Sequence, residues 1–251
     1  MKTSQQQVCL DFSGAQARQL AAWLLALECL LVALFLLNRS FGAPFRPINN
    51  LLDLDGERSL AVWFSATQLF VVAVVLALVA RLNVDRSVAL TRLLWLVSAG
   101  FIFLSIDEAL SMHEQVTSVL RHLTWVPRFR GDHGIWVFLY GLIGAVLMLM
   151  CLRPLLAWRV RRPYSVACMF SGFAILLVGG VLLEVLSYQF IRNRGRPVLY
   201  TAEVCLEELL EMVGGTLLLY GALLLLLAES AARATGGVAA VEAARLSAKA
   251  D

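Results

Sequence analysis

Charged side chains and histidines are scarce in this chain of 251 residues, and each shortage excludes a class of protein. Only 16% of the residues are charged, whereas a soluble domain has about 25%. The net charge of +3 is small and the arginines lie at loop and helix edges, so we expect no nucleic-acid partner. The three histidines, at positions 113, 122 and 133, are too few for a membrane desaturase or hydroxylase built on many histidine ligands. A His-Glu-x-x-His protease motif is absent.

Cysteine pairs and a signal cleavage motif are also missing. The five cysteines are scattered and none forms a Cys-x-x-Cys pair, which excludes a disulfide framework, a zinc ribbon and an Fe–S motif. No cleavage motif of the Ala-x-Ala type follows the first apolar run. We therefore expect that run to be retained as a helix.

Long apolar runs, by contrast, recur along the chain, and the mean hydropathy is +0.77. A helix needs about 20 such residues to cross a bilayer. We count six runs: 19–38, 60–80, 93–117, 135–153, 166–190 and 199–227. The runs do not alternate polar and apolar residues as the strands of a β-barrel do. The sequence therefore predicts an all-α, polytopic integral membrane protein with six transmembrane helices in one bundle.

The basic residues indicate an orientation for this bundle. Loops 81–92 and 153–163 together with the two tails hold 12 of the 21 Lys and Arg residues. The positive-inside rule then places both termini in the cytoplasm. The predicted organisation is a cytoplasmic segment over 1–18, a six-helix transmembrane domain over 19–228 and a cytoplasmic Ala-rich tail over 229–251.

Acidic residues are the unusual feature of the spans. Nine of the 18 Asp and Glu residues lie within them, whereas no Lys or Arg lies well inside one. An ionised side chain at the centre of the bilayer costs about 2.5–3.5 kcal/mol on insertion scales, and nine of them cost on the order of 25 kcal/mol. We therefore expect these acids to be protonated, hydrated in a cavity or bound to cations.

The spacing of the acids predicts shared faces and a shared depth. At 100° per residue, Glu207 and Glu211 fall on one stripe of the sixth span. The third span, taken as one helix over 93–117, puts Asp107 and Glu114 on another stripe. Measured from the loops on one side, acids from four spans lie about 10–20 Å deep. They are thus predicted to converge in one half of the membrane.

These residue types favour a metal site. Carboxylates with one imidazole suit Fe or Mn, with Zn as a further candidate. Helical bundles that hold two metals draw such carboxylates from facing helices, although the Glu-x-x-His spacing of those bundles is missing here. We predict a site for a divalent metal ion, with two ions as the preferred occupancy. Its ligands are Asp107, His113, Glu114, Glu184, Glu207 and Glu211, and the acids for proton transfer are Glu108 and Glu208.

Two blocks of this sequence resemble a group of bacterial multi-pass membrane proteins. One runs from Ser105 through Asp107-Glu108 to His113-Glu114, and the other is Leu206-Glu-Glu-Leu-Leu-Glu-Met-Val-Gly214. The resemblance covers residues 60–214 and implies a location in the bacterial inner membrane. That group has no assigned activity, so the likeness supports the site and names no reaction.

Three functions remain open from the sequence. The first is a metal-dependent membrane enzyme that activates water or oxygen against a lipid-like or small apolar substrate. The second is a proton or cation transporter, although the inner halves of the spans are apolar. The third is a non-catalytic subunit of a larger membrane complex. The expected partners are membrane lipids, and other membrane subunits or a second copy of the chain.

Glu28 and the span glycines have simpler interpretations beside these. Glu28 is alone on an apolar helix, and it is either a protonated packing residue or a partner for the site. The glycines at 141, 144, 179, 180, 214 and 215 are interpreted as close-packing positions between helices.

Overall fold

The computed structural model describes residues 12–83, 87–129, 133–192 and 195–247, with side chains through 235. Within these ranges the chain is helical and contains no strand. Six of its helices are long and apolar enough to cross a membrane. The predicted all-α bundle of six transmembrane helices is therefore confirmed.

Eight helices follow one another along the described chain. The six candidate spans are α1, α3, α4, α6, α7 and α8, and the two short helices, α2 and α5, precede α3 and follow α4. Their bounds are α1 Gly14–Ser40, α2 Arg46–Leu52, α3 Leu60–Leu82, α4 Val88–Leu110, α5 Met112–Leu120, α6 Ile135–Arg161, α7 Pro163–Ile191 and α8 Pro197–Ser247. Serine N-caps start three of the spans, at Ser13, Ser59 and Ser87, because a serine hydroxyl accepts from an otherwise unpaired first-turn N–H.

Helix α8 is the centre of the bundle and packs against α1, α3 and α7, while α3 packs against α4. Helices α7 and α8 approach most closely where Gly172 meets Gly214. A Cβ atom built on Gly172 would lie 2.7 Å from Gly214 O, and one built on Gly214 would lie 2.7 Å from Leu176 N. The missing side chains thus let the two backbones touch, as small residues do between membrane helices.

The predicted close packing is confirmed at four glycines and wrong at two. A Cβ atom at Gly179, Gly180, Gly214 or Gly215 would fall within 2.8 Å of a neighbouring helix. Gly141 and Gly144 have nothing within 4 Å. They lie on α6, which is at the edge of the bundle and leaves most of its surface to the bilayer.

The third span differs from the prediction because it is two helices. Helix α4 ends at Leu110, and Ser111 adopts the left-handed conformation with φ 48°. Such a φ is uncommon outside glycine and ends the helix. The hydroxyl group of Ser111 donates to a carboxylate oxygen of Glu57, from the loop before α3. The interpretation of 93–117 as one helix, with Asp107 and Glu114 on one stripe, is therefore wrong.

The last helix continues through residue 228, where the sequence predicts the end of the transmembrane domain. Glu229, in the predicted tail, is buried and accepts hydrogen bonds from Arg162 at 3.0 and 3.1 Å. This ion pair joins the start of α7 to α8 at the end of the bundle opposite the acids. Between the ion pair and the acids lies an apolar core that includes Leu76, Leu94 and Leu225.

Candidate functional site

Asp107 is the buried carboxylate at the start of the site, one turn before α4 ends. Its Oδ2 lies 3.0 Å from Nδ1 of His113, and its Oδ1 accepts a hydrogen bond from the Tyr140 hydroxyl at 2.9 Å. On an unbroken helix His113 would lie about 9 Å further along and about 120° round from Asp107. The break at Ser111 is therefore what brings this histidine back onto the acid.

His113 lies on α5, outside the spans, and its charge is set by the acids around it. Burial by itself lowers the pKa of His113. The hydrogen bond and charge of Asp107, together with the charges of Glu184 and Glu108, outweigh burial and raise the pKa to about 8. The imidazole is therefore protonated at neutral pH while the site holds no cation. A metal ion that bound to it would displace that proton.

Glu184 lies between two π-helical segments of α7, Val178–Leu183 and Ser187–Ile191. Such wide turns are rare and occur often at functional sites. The Trp136 indole N–H donates to Glu184 Oε1 at 3.4 Å, and the Trp136 ring lies 5.1 Å from the His113 ring. Helix α6, although peripheral, thus supports an acid on α7 and the histidine on α5.

Glu211 on α8 faces the same space as the acids of α4 and α7. A Cβ atom on Gly180 would lie 2.7 Å from Glu211 Oε1, so this carboxyl group rests against the first π-helical segment of α7. The charge of Glu211 interacts with those of Glu108, Glu184 and Glu208. Carboxyl groups from three spans therefore act on one another, whereas the sequence predicts four. Glu28, on the remaining span, is hydrogen-bonded to Gln68 and Thr216 instead.

The predicted site residues are placed unequally. Those that interact with one another are Asp107, Glu108, His113, Glu184, Glu207, Glu208 and Glu211, and the charge of Glu114 also acts on Glu184. Glu114 is exposed on α5, because the break at Ser111 turns it away from the α4 stripe. Sequence reasoning missed Trp136 and Tyr140. Their spacing of four residues, which puts both on one face of α6, is the signal that could have found them.

The ligand geometry of a metal site is not preformed in the part of the chain that the structure describes. No group of three or more His, Cys, Asp or Glu side chains there is arranged to hold a metal ion. Both oxygens of Asp107 are engaged by His113 and Tyr140. Asp107 thus orients the imidazole, as outer carboxylates do for metal-bound histidines.

An aromatic cap, made of Asp55, His133, Tyr188, Arg192 and Tyr200, covers the loop end of the site. The guanidinium of Arg192 lies 5.2 Å from the Tyr188 ring centre and 5.6 Å from that of Tyr200. Asp55 accepts from Tyr200 at 2.7 Å and lies 3.6 Å from Arg192. The His133 ring stacks on Tyr188 at 4.3 Å. The cap therefore joins three loops above the acids.

Comparison with known proteins places this bundle in a family. The profile of a domain of unknown function, DUF8692, matches residues 23–227. The chain belongs to the DUF8692 family. The matched range of the DUF8692 domain includes every acid of the site as well as Trp136 and Tyr140. No curated protein and no solved structure matches the chain, so the function of this DUF8692 protein has to be inferred from its site.

Proposed function

We propose that this DUF8692 protein is a membrane enzyme that works with a divalent metal ion at its carboxylate and histidine site. The observation that supports this is the close placement of acids from α4, α7 and α8, with Asp107 3.0 Å from His113 and Glu211 packed against Gly180 of α7. Like charges so close cannot all stay ionised unless protons or a cation are added. Among the described residues, the bases that act on Glu108 and Glu184 are His113 and Arg192, both outside the spans.

The roles in the proposal follow from the contacts. Glu184, Glu207, Glu211 and His113 would hold the metal ion, for which Fe or Mn is favoured and Zn is a further candidate. Asp107, first predicted as a ligand, becomes the residue that orients His113. Glu108 and Glu208 remain for proton transfer, and Glu208 Oε2 is buried without a hydrogen-bond partner among the described residues. The exposed Glu114 acts on Glu184 through its charge and is kept as a further candidate ligand.

The position of the site supports a substrate that enters from the bilayer. Helix α6, which carries Trp136 and Tyr140, is peripheral, and its contacts to α4 and α7 are sparse. A lipid-like or small apolar molecule would therefore reach the acids between these helices. A metal ion held there would supply an activated water, and Glu108 and Glu208 would be the groups that accept a proton from it.

The proposal includes a location and an orientation. The chain would lie in the bacterial inner membrane, with both termini cytoplasmic because 12 of its 21 basic residues fall on that side. The aromatic cap and the acids would then lie in the outward half of the membrane. Lipids would be the immediate partners, with other membrane subunits or a second copy as further ones.

The experiment that tests the proposal is elemental analysis of protein purified in detergent without chelators. We expect one or two transition-metal ions per chain. Folded protein that contains no metal, and binds none when Fe, Mn or Zn is added, would overturn the proposal. That result would favour the non-catalytic subunit with protonated acids.

Proton or cation transport is the second candidate. The polar residues Glu28, Gln68 and Thr216, which lie deeper in the bundle, favour it because they extend the polar groups from the acids to the middle of the membrane, as a path requires. The apolar core around Leu76 and Leu225 counts against it, since it fills the other half of the bundle. Uptake of a labelled cation or of protons into vesicles containing the protein would favour transport over catalysis.

Replacing Asp107 with Asn should weaken metal binding by about 10–100-fold, the usual cost of losing a carboxylate behind a histidine ligand. The amide keeps the shape and loses the charge that acts on His113. Tyr140→Phe should have a smaller effect, since the hydroxyl acts through Asp107. Metal titration of the metal-free protein measures both affinities.

Tyr164→Phe, at an exposed position at the other end of α7, is the control. Equal affinity in Asp107→Asn and wild type would contradict the positioning role.

A further inference from the structure

A second polar cluster lies between α1, α3 and α8, apart from the carboxylate and histidine site. Its members are Glu28, Gln68 and Thr216, whose exposed fractions are 0%, 4% and 0%. Glu28 is midway along α1, so the cluster lies near the middle of the membrane. Its hydrogen bonds join three helices that are distant in sequence, and they include no acid of the main site.

The hydrogen bonds of this cluster use every donor it has. The Gln68 amide donates to Glu28 Oε1 at 3.0 Å and to Thr216 Oγ1 at 2.7 Å. The Thr216 hydroxyl donates to the same Glu28 Oε1 at 2.6 Å. Two oxygens, Glu28 Oε2 and Gln68 Oε1, are buried without a hydrogen-bond partner among the described residues. The cluster therefore lacks one donor, because buried acceptors are almost always paired.

The charges around the cluster also indicate that a proton is missing from it. The groups that act on Glu28 are Thr216 and Gln68, both neutral. The basic residues of α1 and α3 are Arg18, Arg39 and Arg81, all at helix ends, and the titratable groups nearest to Thr216 along α8 are Tyr220 and Glu211, neither of which is basic. An ionised carboxylate in the middle of the membrane without a cationic partner is strongly disfavoured.

We propose that Glu28 is a proton-binding site in the middle of the membrane, with the proton held on Oε2. One proton makes Oε2 a donor and neutralises the carboxyl group, and Gln68 Oε1 is the unpaired acceptor in the cluster. Oε1 then remains a carbonyl oxygen that accepts from both Thr216 and Gln68. The backbone of α8 leaves little space for a cation with its further ligands, since a Cβ atom on Gly215 would lie 2.6 Å from Gln68 Oε1.

The protonated Glu28 also holds α1 in the bundle. Its hydrogen bonds link α1 to α3 and α8, and loss of the proton would put an unpaired charge where those helices meet. This site is independent of any metal ion in the main cluster. It stands even if purified protein contains no metal.

Infrared spectroscopy of the protein in lipid vesicles tests the proposal. The difference spectrum between wild type and Glu28→Gln should contain the C=O stretch of a protonated carboxyl group at pH 8, where a free glutamate is ionised. Because Oε1 accepts two hydrogen bonds, Thr216→Val should move this band to higher frequency. Thr201→Val, which removes a hydroxyl bonded to its own helix at Pro197 O, should leave the band unchanged.

Three outcomes would overturn the proposal. The first is a carboxylate band in place of the protonated band in the wild type minus Glu28→Gln spectrum at pH 8. The second is a protonated band that Thr216→Val does not shift. In that case the proton would be on Oε1, or the protonated carboxyl group would not be that of Glu28. The third is a protonated band that appears only when choline replaces Na⁺, which would make Glu28 a cation site. If Glu28→Gln does not fold, the difference spectrum between wild type and Thr216→Val still shows whether a protonated band shifts.

Discussion

Protein in which Glu207 and Glu211 are both replaced by Gln is expected to lose the metal ion that we propose for the site. The two residues lie one turn apart on α8, and both interact with Glu184 on α7. Removing both charges takes away half of the proposed ligands. The affinity should therefore fall by more than about 100-fold, the upper cost of losing a supporting partner alone. Metal content after purification and titration of the stripped protein measure the loss.

The thermal stability of the metal-free double variant distinguishes this loss from misfolding. Two amides in place of two crowded acids remove repulsion, so metal-free Glu207→Gln/Glu211→Gln should be at least as stable as metal-free wild type. Glu28→Gln is the matched control, since it replaces a buried acid outside the site and should retain the metal. A double variant that keeps full metal content would show that α8 supplies no essential ligand.

Alanine at Gly172 or Gly214 is expected to cost about 1–3 kcal/mol of stability each, the usual effect of adding volume to a packed core. The new methyl group would lie 2.7–2.8 Å from backbone atoms of the facing helix, and backbone cannot rotate away as a side chain can. Helices α7 and α8 would have to separate. Because α7 carries Glu184 and α8 carries Glu211, the separation should weaken metal binding as well. Thermal unfolding in detergent measures the first effect and metal titration the second.

The matched control for these substitutions is Gly144→Ala on α6. No atom lies within 4 Å of a Cβ atom there, so alanine should leave stability unchanged or raise it slightly through helix propensity. Equal stabilities for Gly214→Ala and Gly144→Ala would contradict the close contact of α7 with α8.

The spans were predictable because the length of an apolar run is set by the thickness of the bilayer, which does not depend on tertiary structure. The break in the helix at Ser111 was not predictable. Serine is no helix breaker, and the left-handed turn is held by Glu57, 54 residues earlier in the chain. A contact so distant in sequence leaves no local pattern. The stripe through Glu114 failed for that reason, while Glu207 and Glu211, on an uninterrupted helix, kept their predicted face.

The supports of the site were harder to predict than its acids. An acid in an apolar run is easy to recognise in the sequence, because placing a charged side chain in the membrane costs much free energy. Trp136 and Tyr140 look like the ordinary aromatic residues of a span end, and only their contacts with Glu184 and Asp107 give them a role. The π-helical segment before Glu184 lies where Gly179 and Gly180 pack against α8, a contact that the sequence of α7 does not reveal.

The length of α8 has a mechanical consequence. Its 51 residues extend about 75 Å, more than twice the thickness of the hydrocarbon layer at about 30 Å. One continuous helix thus connects Glu211 with a C-terminal part that extends beyond the membrane, and the Arg162–Glu229 ion pair holds this helix to the start of α7. A tilt of α8 about this pair would therefore carry a change among the acids to the far end of the helix.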